Sequence, residues 1–269
     1  MFKGATPMFH KSFVDMYFIK LKDAAETKIV NADEALLRPT KFPMIEEIVE
    51  TIWLTLMARL AAQKEIQIGK YQLLTKLGIL FFKQSFMAKR IDGAIAIDMV
   101  CKRALQQDHF TSKDTKKDDT VTNVVPALIQ TLQESNIIDL YFGKQNIHDQ
   151  LVMRAEGVLG LFLANDVLSA EQIDMIWRNC YAEDAIYRNL IASLGNLSSK
   201  VKPALLTTLI ERVASTPRNK IKNDEIELMS NLCYEGSTVN LEDEPIIKIN
   251  QSKVLEFYWE YLTGEGADK

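Results

Sequence analysis

The spacing of apolar residues constrains this chain most. They recur three and four positions apart almost from end to end, the period of a helix with one buried face. Only 11 glycines and 7 prolines punctuate 269 residues, so little interrupts that periodicity. Alternation, the signature of a strand, is considered in one place only: the connection STVNLEDEPIIKIN, with Ile246, Ile247 and Ile249. The pattern predicts an all-α chain of about ten helices joined by short turns. Such helices pack as antiparallel pairs, and with no sharp repeat consensus the expected form is an irregular armadillo/HEAT-like superhelix.

The segment PMIEEIVETIWLTLMARLAA, residues 43–62, opens with a proline and two acids, which suit a first helical turn. Ile45, Ile48, Val49, Ile52, Trp53 and Leu56 fall on one face. Helices are also predicted over 68–82 and 86–107. DHFTSKDTKKDDT, residues 108–120, is polar and almost free of aliphatic residues, and reads as an exposed flexible loop. VTNVVPALIQTLQESNIIDLYFG follows as a helix started or kinked near Pro126. NIHDQLVMRAEGVLGLFLAND then carries a broad stripe of Leu151, Val152, Ala155, Val158, Leu159 and Phe162.

Ser169 and Gln172 form a capping-box pattern ahead of Ile173, Ile176, Trp177 and Cys180, which share a face. After a short turn, Ala185, Ile186, Leu190, Ile191 and Leu194 give the next face, with Glu183 and Asp184 in the first turn. VKPALLTTLIERVAS starts on another early proline. NDEIELMSNLCYEG ends at a C′ glycine, Gly236, and SKVLEFYWEYLTG is the final helix, with residues 263–269 as a disordered tail. The whole of 1–269 reads as a single helical-repeat domain, and the lack of a polar capping helix at either end favours a fragment of a longer protein.

Charge and motifs narrow the function. The formal charge of -4 supplies no global attraction to nucleic acid or an anionic membrane. No apolar leader and no eighteen-residue apolar run occur, so a cytoplasmic location is expected and no membrane. Cys101, Cys180 and Cys233 are odd in number and far apart, which argues against disulfides or a zinc site. His10, His109 and His148 show no metal-binding spacing, SKDTKKDDT lacks the glycine of a calcium loop, and no glycine-rich phosphate cradle exists. No cofactor is expected.

Two chemical alternatives stand beside a binding role. Cys180 with His148 as base would make a cysteine hydrolase, although Cys180 is the i+7 member of an apolar stripe. Lys200, Lys202, Arg212, Arg218, Lys220 and Lys222 could form a basic ridge on nucleic acid, but no aromatic residues interleave with them.

The wording of several helices resembles a family. AKRIDGAIAIDMVCK, NIIDLYFGKQNIHDQLVMRAEGVLGLFLANDVLSAEQIDMIWRNC and IELMSNLCYEG are similar to a helical region of the large ubiquitin-specific proteases related to fat facets. The matching pieces are Lys89 to Gly93, Asn136 to Ile138, Leu159 to Leu163 and Leu168 to Trp177, in family order, within residues 44–236. After the tryptophan helix this chain has NCYAEDAIYRN where the family has a Gly-Lys-His-Glu-like run. The peptidase cysteine and histidine boxes are absent from the chain.

The resemblance therefore implies a non-catalytic protein-interaction scaffold, a segment or relative of a ubiquitin carboxyl-terminal hydrolase, with protein partners in the ubiquitin pathway. The candidate partner-binding residues lie around the turn after the tryptophan helix: Arg178, Tyr181, Glu183, Tyr187 and Arg188. Trp177 is expected in the core.

Overall fold

A computed structural model describes residues 14–57, 63–113, 123–234 and 244–263. Every regular element among them is helical, and none is a strand. The chain divides into two compact units, Met1–Ile137 and Ile138–Lys269, where the sequence alone predicted one domain. In each unit the helices pack around a central member of their own.

The first unit opens with a π-helical turn, Val14–Phe18, that leads into α1 (Ile19–Val30) and the short α2 (Glu34–Leu37). It continues through α3 (Phe42–Met57), α4 (Gln63–Phe82), α5 (Met87–Lys113) and α6 (Val125–Glu134). Helix α4 is the centre, touching α1, α3, α5 and α6. Its sequence explains why. From Tyr71 to Phe82 it is apolar around most of its circumference, and Tyr71, Leu73, Leu74, Leu77, Ile79, Phe81 and Phe82 are all buried. A helix apolar around most of its circumference has to be covered on most sides.

The tightest contact is with α5, where Gly78 and Gly93 let the two backbones approach. A Cβ on Gly93 would lie 2.5 Å from the Gly78 carbonyl oxygen and 2.8 Å from Phe82 Cα. Ion pairs tie α3 to α4 and α5, Lys70–Glu50 at 3.0 Å and Arg103–Glu46 at 2.9 Å.

The second unit contains α7 (Ile137–Phe142), at whose start the division falls, then α8 (Asp149–Val152), α9 (Glu156–Ala164), α10 (Ala170–Tyr181) and α11 (Asp184–Leu197). Next come α12 (Pro203–Ala214), α13 (Asn223–Tyr234) and α14 (Glu244–Thr263). Here α11 is central, packed on α8, α9, α10 and α13, while α12, α13 and α14 pack on one another. Residues 157–163 of α9 are buried throughout.

Several expectations change. The helix predicted over 86–107 runs on to Lys113, six residues into the expected loop; propagating an existing helix is far easier than nucleating one, and nothing in DHFTSK breaks it. The rest of that loop lies outside the described residues, as do Gly236 and the tail after Thr263. The segment around Pro126 forms two helices instead of one. Asn136 adopts a left-handed conformation (φ 54) between them, which an asparagine tolerates. The 146–166 segment divides likewise into α8 and α9.

The isoleucines considered for a strand begin α14 instead, with Pro245 in its first turn. Ile48 and Ala185, placed on buried faces by their spacing, are exposed at the margins of their stripes. Ile173, Ile176, Trp177 and Cys180 are buried together as expected. No helix among the described residues is long and apolar enough to cross a membrane.

Candidate binding cleft at the α10–α11 turn

The site is built by two chain reversals in the second unit. Ser169 and Gln172 close a reciprocal capping box at the start of α10. The Gln172 N–H donates to Ser169 Oγ at 3.2 Å, and the Ser169 N–H donates to Gln172 Oε1 at 3.0 Å. That fixes where the helix starts, and the apolar face through Cys180 fixes its rotation. Helix α10 therefore ends with Tyr181 beside the turn Ala182–Glu183. Glu183 is extended (φ -135, ψ 120), and α11 begins at Asp184 with no side-chain cap on its first amides.

The second reversal comes from the other side. A 3-10 turn, Arg218–Lys220, leads through extended Ile221 into α13. The Lys222 N–H donates to Glu225 Oε2 at 2.9 Å, so a glutamate in the first turn reaches back to cap its own helix. Lys222 Nζ then meets Asp184 Oδ1 at 2.8 Å, and Arg188 Nη2 meets Asp184 Oδ2 at 2.8 Å. One exposed carboxylate thus holds cations from both reversals. Lys222 first, and then Arg188, keep the Asp184 carboxyl below the usual carboxylate range.

Between the reversals lies a cleft of about 360 Å³. Its floor is aromatic. The Tyr181 and Tyr187 rings meet edge to face at 5.1 Å, and Trp177 meets Tyr187 in the same way at 5.5 Å. Lys220 Nζ sits 5.0 Å from the centre of the Tyr181 ring. Tyr187 is only 6% exposed, and its burial raises the phenol above its ordinary range. Its hydroxyl is buried beside Thr216 and Glu225, yet neither closes a well-formed hydrogen bond with it. The hydroxyls of Tyr181 and Thr216 are likewise buried without a partner. Glu225 itself is buried at the same place.

Of the five residues singled out from sequence, Tyr181, Tyr187 and Arg188 line this cleft. Arg178 and Glu183 are exposed nearby, outside its lining. Tyr187 is a buried floor residue and no surface anchor, because its ring completes the packing of Trp177. Sequence reasoning missed Asn219, Asp224 and Glu225. A glutamate three residues after Lys222 was a legible capping signal, but the burial of Glu225 depends on α11 and could not be read locally.

The catalytic alternative fits the geometry poorly. Cys180 is fully buried, and burial pushes its thiol up to about 12, the reverse of an activated thiolate. Burial raises Cys101 as well, and Cys233 is half-buried. His148 is the N-cap of α8, where Nδ1 accepts from the Gln150 N–H at 3.3 Å and lies 2.6 Å from Asp149 Oδ1. His10 and the side chain of His109 lie outside the described residues. Among those described, no group of His, Cys, Asp and Glu side chains is arranged to hold a metal.

The basic ridge is largely committed within the chain. Arg212 pairs with Asp174, Arg218 donates to the Tyr261 carbonyl, Lys220 covers Tyr181 and Lys222 holds Asp184.

Comparison with protein-family models, with curated proteins and with solved structures found no match for the chain.

Proposed function

We propose that the chain is a non-catalytic protein-interaction scaffold, a segment or relative of a large ubiquitin carboxyl-terminal hydrolase. In this reading its antiparallel helix pairs stack in armadillo/HEAT-like fashion, it works in the cytoplasm, and its partner belongs to the ubiquitin pathway. The observation that carries the binding role is the cleft between the α10–α11 turn and the start of α13. It joins an aromatic floor to a charged rim and leaves polar groups unused by the fold. Aromatic and arginine side chains in such a setting are the residue types that dominate protein interfaces. The sealed thiol of Cys180 supports the non-catalytic half of the reading.

The test pairs two measurements on the full chain. Affinity capture is run with wild type and with a Tyr181→Ala/Arg188→Ala variant, and every protein lost with the variant is identified. Hydrolysis of a fluorogenic ubiquitin substrate is followed with wild type and Cys180→Ala. Specific loss of a ubiquitin-pathway protein, with no hydrolysis, is the expected result. Hydrolysis that disappears in Cys180→Ala would replace the scaffold by an enzyme, and identical capture profiles would remove the cleft as the binding surface.

A further inference from the structure

We infer that the outward face of α14 is a self-association surface, on which a second copy of this chain seats its own α14 in antiparallel fashion. This face is separate from the cleft, and its role does not depend on what the cleft binds. It reverses the usual pattern of a surface helix, which turns its apolar stripe inward and its polar residues to water. In α14 the three most exposed large apolar side chains of all the described residues stand together: Trp259 at 69%, Leu255 at 68% and Leu262 at 66%. They fall at i, i+4 and i+7 and so form one stripe.

The rotation of α14 is fixed from the inside. Val254 and Phe257 are buried, and so is Asn250, whose Oδ1 accepts from Thr207 Oγ1 at 2.8 Å. The Tyr258 hydroxyl donates to the Ile226 carbonyl at 3.0 Å, Lys253 pairs with Glu211, and Arg218 donates to the Tyr261 carbonyl. Turning the helix to hide Leu255 and Trp259 would break these contacts and expose Phe257. The stripe therefore belongs to the folded unit, and a contiguous apolar patch of this kind marks an interaction surface.

Two features select a second copy as the occupant. The first is that the stripe reads the same in both directions. At about 1.5 Å per residue, Leu255 lies about 6 Å to one side of Trp259 and Leu262 about 4.5 Å to the other. An antiparallel two-fold pair centred on Trp259 sets Leu255 of each copy over Leu262 of the other, the self-complementarity that an isologous dimer needs. It also places Glu256 beside the second copy's Thr263 and not beside another carboxylate.

The second feature is area. Side chains so exposed leave roughly 400 Å² in water, so pairing removes about 800 Å² along the seam alone. The exposed Gln251, Ser252, Glu256 and Thr263 flank the seam. With them the total reaches about 1,000–1,200 Å², where specific interfaces begin.

The experiment is sedimentation velocity on the full chain, read together with tryptophan fluorescence. Trp53 and Trp177 are buried, so acrylamide quenching reports chiefly on Trp259. The weight-average mass should climb toward twice that of the chain between about 1 and 200 µM, as suits an interface at the low end of the size scale. Trp259 should become shielded from the quencher over the same range. Trp259→Glu should weaken association at least about tenfold, and Leu255→Glu should do the same. Met44→Glu, at an exposed apolar site in the first unit, should leave it unchanged.

All three replaced side chains are exposed, and circular dichroism checks that each variant is folded. A mass that stays at one chain to the top of that range would overturn the inference. So would association that survives Trp259→Glu, that is lost equally with Met44→Glu, or that leaves Trp259 as open to the quencher as before. None of these results bears on the Tyr181→Ala/Arg188→Ala capture experiment, which tests the cleft separately.

Discussion

Replacing Gly93 by alanine should destabilise the first unit, although alanine is the better helix former. Gly93 lies inside α5, where the Gly→Ala exchange alone contributes about 1 kcal/mol in favour of the helix. The new methyl, however, would stand 2.5 Å from the Gly78 carbonyl oxygen, 2.8 Å from Phe82 Cα and nearer still to the Phe82 amide nitrogen. These are backbone atoms of α4 and cannot rotate aside. Ordinary carbon contacts need about 3.5 Å or more, so the helices must part by roughly 1 Å along their closest crossing. Overpacking of this kind costs about 1–3 kcal/mol and sometimes more, and a backbone obstacle belongs at the upper end.

The net expectation is a loss of about 2 kcal/mol, or a fall of roughly 5 °C in the midpoint of the first unit. Gly69→Ala supplies the internal control. There the nearest atom to the added Cβ is Trp53 Nε1 at 3.9 Å, an ordinary contact, so the helix-propensity gain of about 0.5–1 kcal/mol should survive. Thermal unfolding of both variants by far-ultraviolet circular dichroism should therefore move in opposite directions. A Gly93→Ala protein as stable as wild type would refute the backbone-to-backbone packing of α4 on α5.

Three further outcomes follow from the second unit. Cys180 should react with a small electrophile only slowly at pH 7–8 and quickly once the protein is unfolded, read by mass spectrometry of the labelled peptide; fast native labelling would mean an open thiolate. Ser169→Ala removes half of the capping box and should cost about 1 kcal/mol in urea denaturation, with little effect from Ser199→Ala, which caps no helix.

Asp184→Asn should show a pH-dependent penalty. The folded carboxyl is held below its ordinary value, so its stabilising contribution is present above the unfolded carboxylate range. That contribution disappears as pH falls through the lowered value. Wild type and variant should therefore differ in denaturation midpoint at neutral pH and converge in strong acid. A gap that widens on acidification would contradict the Lys222–Asp184–Arg188 arrangement.

Much of the helical architecture was legible because its determinants are local. The Ser169–Gln172 box, the stripe from Leu151 to Phe162 and the face from Ile173 to Cys180 each depend on spacing within one or two turns. Their environment in the structure follows from that spacing. Ile48 shows the limit. It continues an apolar stripe in sequence, but whether a marginal position is covered depends on a neighbour that periodicity does not name. The break at Asn136 leaves no mark on the apolar periodicity, and only the turn implied by the resemblance at Asn136 to Ile138 points to it. A single residue in a left-handed conformation ends a helix without disturbing the apolar pattern on either side.

The cleft was half visible. Tyr181 and Arg188 follow from their place at a turn, and Lys220 and Lys222 stood out as basic residues. That these lysines face the same turn is a consequence of α13 packing on α11, about forty residues apart in sequence, and no local signal carries it. Tyr187 illustrates the converse. An aromatic residue one turn into a helix reads as a contact residue until Trp177 and Thr216 are known to enclose it.

The binding role of the cleft is tested most directly by placing a photo-crosslinking amino acid at position 188 of the full chain. A second variant carries it at Lys83, an exposed site in the first unit. On irradiation with the partner fraction retained by wild type, position 188 should yield a discrete adduct, and position 83 should not. Adducts of equal yield at both positions, or none at 188 while capture persists, would place the partner elsewhere on the molecule.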